Sequence, residues 1–283
     1  MLAAGYFVLP SLRPAPPVTH PANADLLDPA VEALLQPLLS AAEREPRAAN
    51  HREALAIAYE ANGLWPEARS AYANTLALGR ETPAWALHHA IAIRQADGFE
   101  PALENLRDLA RRHEAFAPIQ QRFGEMLLEA GELKEAEAAF RQLLTQEPRA
   151  VQGFTGLGDA LVQQDRAEEA VRFLEEAIRI RPDYQRAHFV LGQAYQQLGR
   201  TEEAQASMQQ GQNGEVVYLA DDVTRQIRPY LVNYTSRQEQ ANAFLDAGQP
   251  EQAAQLLEET YTYHPSNTML LNTLGVAYLF MRR

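Results

Sequence analysis

Apolar side chains recur at helical spacing in short runs, separated by polar turns, along most of the chain. Between Gly153 and Pro182, the residues Phe154, Leu157 and Leu161 fall on one helical face at i, i+3 and i+7. Gln164-Asp165-Arg166 then interrupts the pattern. Ala170, Leu174 and Ala177 resume it, and Pro182 stops it, because proline cannot continue a helix. Two short helices joined by a tight turn are predicted.

The same template matches again when shifted by 34 residues. Forward it meets Leu191, Gly192, Tyr195, Gly199 and Ala204; backward it meets Gly124, Leu127, Gly131, Ala136, Phe140 and Pro148. Further back lie Leu55, Ala56, Tyr59, Gly63, Ala68 and Tyr72. The step from Pro83 is weaker: Ala90, Ala102, Leu106 and Leu109 fit, while His89 and Asp97 do not. Leu, a small residue, an aromatic, Gly, Ala, an aromatic, Ala and Pro in this order resemble the tetratricopeptide repeat, and positive charge carried by Arg, with Lys134 the only lysine, suits a GC-rich, bacterial genome. The resemblance implies an all-α fold, a right-handed superhelical solenoid of stacked antiparallel helix hairpins.

Such helices, each of about 12 residues, are marginal alone in water. Small residues let their axes approach, so Gly158 is expected to face Ala170, and Gly192 to face Ala204. Gly131 and Gly199 stand where a first helix ends in the left-handed conformation. One hairpin leaves apolar surface bare, so neighbours must stack.

In this register, hairpins begin near Ala49, Pro83, Ala117, Val151 and Gln185. Asp28 to Glu45 reads as a lone second helix with Leu38 and Ala41 in its core. The predicted organisation is a leader over 1–27, an array over 28–213, an irregular insertion or extra helix over 214–233, and a resumed array over 234–283. The register breaks at Gly211-Gln212-Asn213-Gly214 and resumes near Tyr234, with a last start at Thr268. Leu270, Leu271, Leu274, Tyr278 and Met281 are then expected to lack a covering helix, as in a fragment, a self-associating end or an end capped by another subunit. In the insertion, Val216 to Leu219, Asp221-Asp222, Arg225 and Tyr230 suit a helix folded into the groove, a contact loop or structural filler.

The leader's apolar run, 2–10, precedes a Pro-rich stretch and Ala22-Asn23-Ala24. It suits either the end of an export signal or membrane anchor, which leans towards a periplasmic or anchored location, or a disordered leader of a cytoplasmic protein.

Composition narrows the chemistry. A net charge of −12 opposes nucleic-acid binding and adhesion to anionic membrane. Cysteine is absent, which removes disulfides and thiol nucleophiles. Gly153, Gly156 and Gly158 resemble a nucleotide-loop spacing, but no strand precedes them, and they read as packing positions. His88 and His89 point about 100° apart on a helix, so they cannot chelate one ion together, and no metal or other cofactor is expected. His188 reads as a packing residue. Carboxylates such as Glu168-Glu169 read as solvated helix faces. No nucleophile elbow or phosphate loop occurs, so the chain reads as non-enzymatic.

The resemblance implies a concave groove lined by first helices at repeat positions 2, 5, 9 and 12. Carried over, these are Asn50, Glu53, Ile57 and Glu60; Gln121 and Glu125; Gln152, Thr155 and Asp159; Arg186, Phe189, Gln193 and Gln196; and Gln238, Asn242 and Asn272. Amides both donate to and accept from a peptide backbone. Phe189 is the exposed aromatic among them, and Arg186 the expected carboxylate ligand. The expected function is a scaffold holding a partner protein or peptide there. The alternative is the arm of a larger enzyme or envelope-complex protein whose working domain lies beyond Arg283.

Overall fold

The computed structural model describes residues 14–79, 81–212 and 214–281. The apolar run over 2–10 lies outside them. The described residues are helical without any strand, and they form two compact units. One unit runs from Thr82 to Asp222; the other joins the residues up to Glu81 with those from Val223 onward. One boundary, after Asp222, falls within the stretch expected as an insertion; the other, after Glu81, divides the array expected over 28–213.

The unit from Thr82 to Asp222 holds four helix pairs: α4 (Pro83–Ala96) with α5 (Phe99–Arg112), α6 (Ala117–Ala130) with α7 (Leu133–Gln146), α8 (Val151–Gln163) with α9 (Ala167–Ile180), and α10 (Gln185–Gln197) with α11 (Thr201–Gln210). Each first helix starts at the residue the 34-residue register assigns. Successive helices pack on one another, and α6, α8 and α10 also touch directly, so the first helices form a row. The core runs through Leu106, Leu127, Phe140, Leu143, Leu157, Leu161 and Leu174.

Close approach explains the glycines inside these helices. A Cβ on Gly156 would lie 2.2 Å from Phe140 Cε1, and one on Gly153 would lie 2.7 Å from Leu143 Cδ2. The three spaced glycines are therefore packing positions. Neither glycine meets its expected alanine first: a Cβ on Gly158 would strike Leu174 and one on Gly192 would strike Met208, each one turn further along the second helix, although Gly192 also lies close to the Ala204 carbonyl. The contact shifts because the broader side chain, not the alanine, fills the gap.

The turns close in the left-handed region at Gly98, Gly131 and Gly199, with φ of 102°, 74° and 71°. In the α8–α9 turn that place belongs to Asp165, with φ 60°. Left-handed backbone costs an L-residue about 1–2 kcal/mol, less for Asp, so Asp165→Gly should raise stability by about 0.5–1 kcal/mol in denaturant titrations.

The second unit contains α1 (Pro29–Arg44), α2 (Ala49–Ala61), α3 (Trp65–Leu76), most of α12 (Asp222–Ile227), α13 (Tyr234–Asp246), α14 (Pro250–Tyr261) and α15 (Thr268–Phe280). Asp28 caps α1 by accepting from Ala30 N at 2.8 Å, and its other oxygen accepts from Tyr234 N at 2.9 Å. Asn62 donates to Tyr230 O and accepts from the Val232 and Asn233 amides. These bonds tie α1 and α2 to chain far away in sequence.

Three expectations change in this unit. The buried stripe of α1 is Ala30, Val31, Leu35 and Ala42; Leu38 and Ala41 sit half-buried at its border. Leu270 and Leu274 are covered after all, because α15 turns them back onto Leu257 of α14; its exposed apolar side chains are Met269, Leu271, Val276, Leu279 and Phe280. Residues 14–19, expected to form part of a leader or tether, lie against α2. Arg52 donates to the carbonyls of Pro16 at 2.6 Å and Pro17 at 2.7 Å, and Tyr59 donates to Thr19 O at 2.7 Å.

Candidate functional site

The turn residues define a row. Gln121, Thr155 and Phe189 each stand ten residues before the left-handed turn position, at Gly131, Asp165 and Gly199. In α4 the positive-φ residue is Gly98, one later than the register assigned, although α4 is as long as α6 and α5 starts at the same offset as the other second helices. His88 is the neighbour of Leu87, which the register places level with Gln121. Sequence reasoning passed over His88 because counting from Pro83 points to Leu87 beside it.

Residues 214–221, without helix or strand, cross this row from α10 towards α4. At α10 the backbone comes close: a Cβ on Gly211 would lie 2.4 Å from Phe189 N, and one on Gly214 would lie 3.0 Å from Phe189 Cβ. Arg186 Nη1 donates to Gly214 O at 3.1 Å. At α6 the Gln121 amide makes a double contact: Nε2 donates to Val217 O at 2.9 Å, and Oε1 accepts from Leu219 N at 2.8 Å. The Val217 backbone also bonds the Tyr184 phenol. The Arg122 guanidinium lies 3.2 Å from the centre of the Tyr218 ring, a cation–π contact. At α4, His88 Nε2 stands 3.2 Å from both Asp221 carboxylate oxygens, and both residues are only 2% exposed there.

The residues assigned to the groove meet different fates. Gln121 is buried beneath the crossing segment. Gln152, Thr155 and Asp159 are buried too, and Thr155 bonds back to Val151 O in its own helix at 2.8 Å. Arg186 is not held ready for an outside carboxylate, because it already pairs with Asp159 at 2.6 Å, as well as with Gly214. Phe189 is 37% exposed, Gln193 half-buried and Gln196 exposed. Together with Asp159 and Arg186 these three line an open cavity beside the crossing segment. Gln238 and Asn242 belong to the other unit: Gln238 is buried and donates to Thr273 Oγ1 at 2.6 Å, while Asn242 is exposed. His188 is a buried residue bonded to Pro182 O at 2.8 Å, as its packing role requires.

Glu125 sits among these groups. Burial pushes its carboxyl up to about 7; Asp159 pushes the same way, while Arg186 and Arg122 oppose. Folding therefore favours its protonated form. That contribution is complete below the ordinary value of 4.5 and is lost as pH rises to about 7. Glu125→Gln should match the wild type in stability near pH 4 and exceed it at pH 8, read from denaturant titrations across that range. A difference independent of pH would contradict this.

No described helix is long and apolar enough to cross a membrane. Tetratricopeptide repeat models match residues 122–185, 161–215 and 239–280. No curated protein matches the sequence. Among solved structures, the chain is similar to the protein in "Crystal structure of APC/C hetero-tetramer Cut9-Hcn1", with 15% identity and a TM-score of 0.52 over 87% of this chain and 46% of that one. It is similar to MamA with 17% identity and a TM-score of 0.51, over 61% of this chain and 98% of that one. YrrB, described as a TPR protein with an unusual peptide-binding site, matches at 24% identity and a TM-score of 0.47, over 58% of this chain and 86% of that one. At these identities the likeness concerns the fold. With its hairpins in register and repeat models matched in both units, this chain is a tetratricopeptide repeat protein.

Proposed function

We propose that this chain is a non-catalytic scaffold that holds a partner protein by a non-helical segment laid across the first helices of the unit from Thr82 to Asp222. The observation that carries the reading is the Gln121 amide, which takes one backbone carbonyl and one backbone N–H of the segment lying on it. A side-chain amide used this way recognises main chain of any sequence, because every residue except proline offers both groups. Neighbouring side chains then add selectivity. Phe189 supplies an apolar face, while Gln193 and Gln196 supply further amide groups beside it. The net charge of −12 favours a protein partner over a nucleic acid.

Capture of the partner from the native cell tests the reading. Phe189→Ala combined with Gln196→Ala alters two exposed side chains, so helicity should persist. Captured partner should fall at least about tenfold, the equivalent of losing about 1.4 kcal/mol of binding. Undiminished capture would remove these residues from the groove.

A further inference from the structure

Most side chains of the crossing segment stay outside the core. Val217 is 47% exposed, Tyr218 is 39% exposed, and Glu215 and Ala220 are also exposed; Leu219 is partly buried and Asp221 fully. The segment is thus held mainly through its main chain, one ring and one carboxylate. Intramolecular hydrogen bonds exchange for bonds to water on release, so their net hold is modest. A buried apolar strand would instead be fixed by area. The contacts also fall in a spaced order. The aromatic ring meets Arg122, the main chain on either side of it meets Gln121, and the carboxylate three residues on meets His88.

We propose that residues 214–221 are a displaceable internal ligand, and that the partner's segment takes their place with an aromatic residue followed three positions later by a carboxylate. The proposal rests on the scaffold reading and gives it a partner chemistry. A non-helical acidic segment of that spacing reproduces the contacts with Gln121, Arg122 and His88. Tethering gives the internal segment an effective concentration on the order of millimolar. A free peptide at micromolar concentration therefore competes poorly until the tethered segment is weakened.

The probe is a fluorescent peptide of the sequence from Gly214 to Asp222, titrated into the full chain. Its affinity should be at least about tenfold higher for the Asp221→Ala chain than for the wild type. Gln121→Ala added to that chain should abolish binding. Peptides with alanine in place of Tyr218 or of Asp221 should bind about tenfold more weakly. Should Asp221→Ala fail to fold, hydrogen exchange in the wild type decides. The Leu219 amide should exchange at least about a hundredfold faster than the core amides of α10. Equal protection would mean that the segment leaves only when the unit unfolds, and the proposal would fall. Equal peptide affinity for wild type and Asp221→Ala, or no binding to either, overturns it as well. A wild-type dimer that separates on Asp221→Ala would assign the segment to exchange between two copies, also against the proposal. If the peptide fails while capture still depends on Phe189 and Gln196, the scaffold reading survives and the crossing segment is fixed structure.

Discussion

Phe140→Ala will destabilise the unit from Thr82 to Asp222 by about 3–5 kcal/mol, the range for removing a buried aromatic ring. The ring is fully buried, and it is the surface onto which two neighbouring first helices close. A Cβ on Gly124 in α6 would lie 2.8 Å from it, and one on Gly156 in α8 would lie 2.2 Å away. Removing the ring therefore leaves a void shared by two hairpins, between backbones that cannot collapse independently. Denaturant titration reads the loss as a lower midpoint. The reciprocal change tests the same contact from the other side. Gly156→Ala should cost about 1–3 kcal/mol by overpacking, and Phe140→Leu should recover part of that loss in the double variant. Additive losses in the pair would show that the two residues do not meet.

Arg52→Ala will loosen residues 14–19 on α2 and lower the stability of their unit by about 2–4 kcal/mol. Arg52 is a buried cation whose guanidinium is satisfied by the carbonyls of Pro16, Pro17 and Pro46. Hydrogen bonds to a charged donor are worth about 1.5–3 kcal/mol each. The total is smaller than their sum, because the freed carbonyls return to water. Tyr59 and Asn74 would still touch Thr19 and Pro17, so detachment is graded. Limited proteolysis reads it directly: cleavage before Asp28 should speed up in the variant, with α2 itself still protected. An unchanged cleavage rate would mean that Arg52 does not hold this stretch.

The periodic part of this fold was legible because each hairpin repeats one physical solution. Leu127, Phe140, Leu161 and Leu174 lie at spacings that only paired helices satisfy, and Gly131 and Gly199 mark turns that need positive φ. Starts at Ala49, Pro83, Ala117, Val151, Gln185, Tyr234 and Thr268 followed from that repetition. Long-range choices were not legible. Nothing local in Asp28 announces that it will accept from Tyr234, nor does Asn62 signal a bond to Tyr230. Such contacts join stretches with no shared period.

The site divides the same way. Gln121 and Phe189 came from repeat position alone. His88 escaped because the register points to its neighbour Leu87, and nothing local in the sequence marks a pairing with Asp221. Arg186 was assigned to an outside carboxylate, but Asp159 lies one repeat back on the same face and claims it. Position in a repeat tells which way a side chain points, and its partner depends on what the neighbouring repeat presents.

Site-specific photocrosslinking tests the groove most directly. A photoreactive residue replacing Gln193 on the cavity should capture the partner in its native cell as a discrete adduct. The same residue replacing exposed Arg172, on second helix α9, should give none. Adducts formed equally at both positions, or at Arg172 alone, would contradict a partner seated across the first helices.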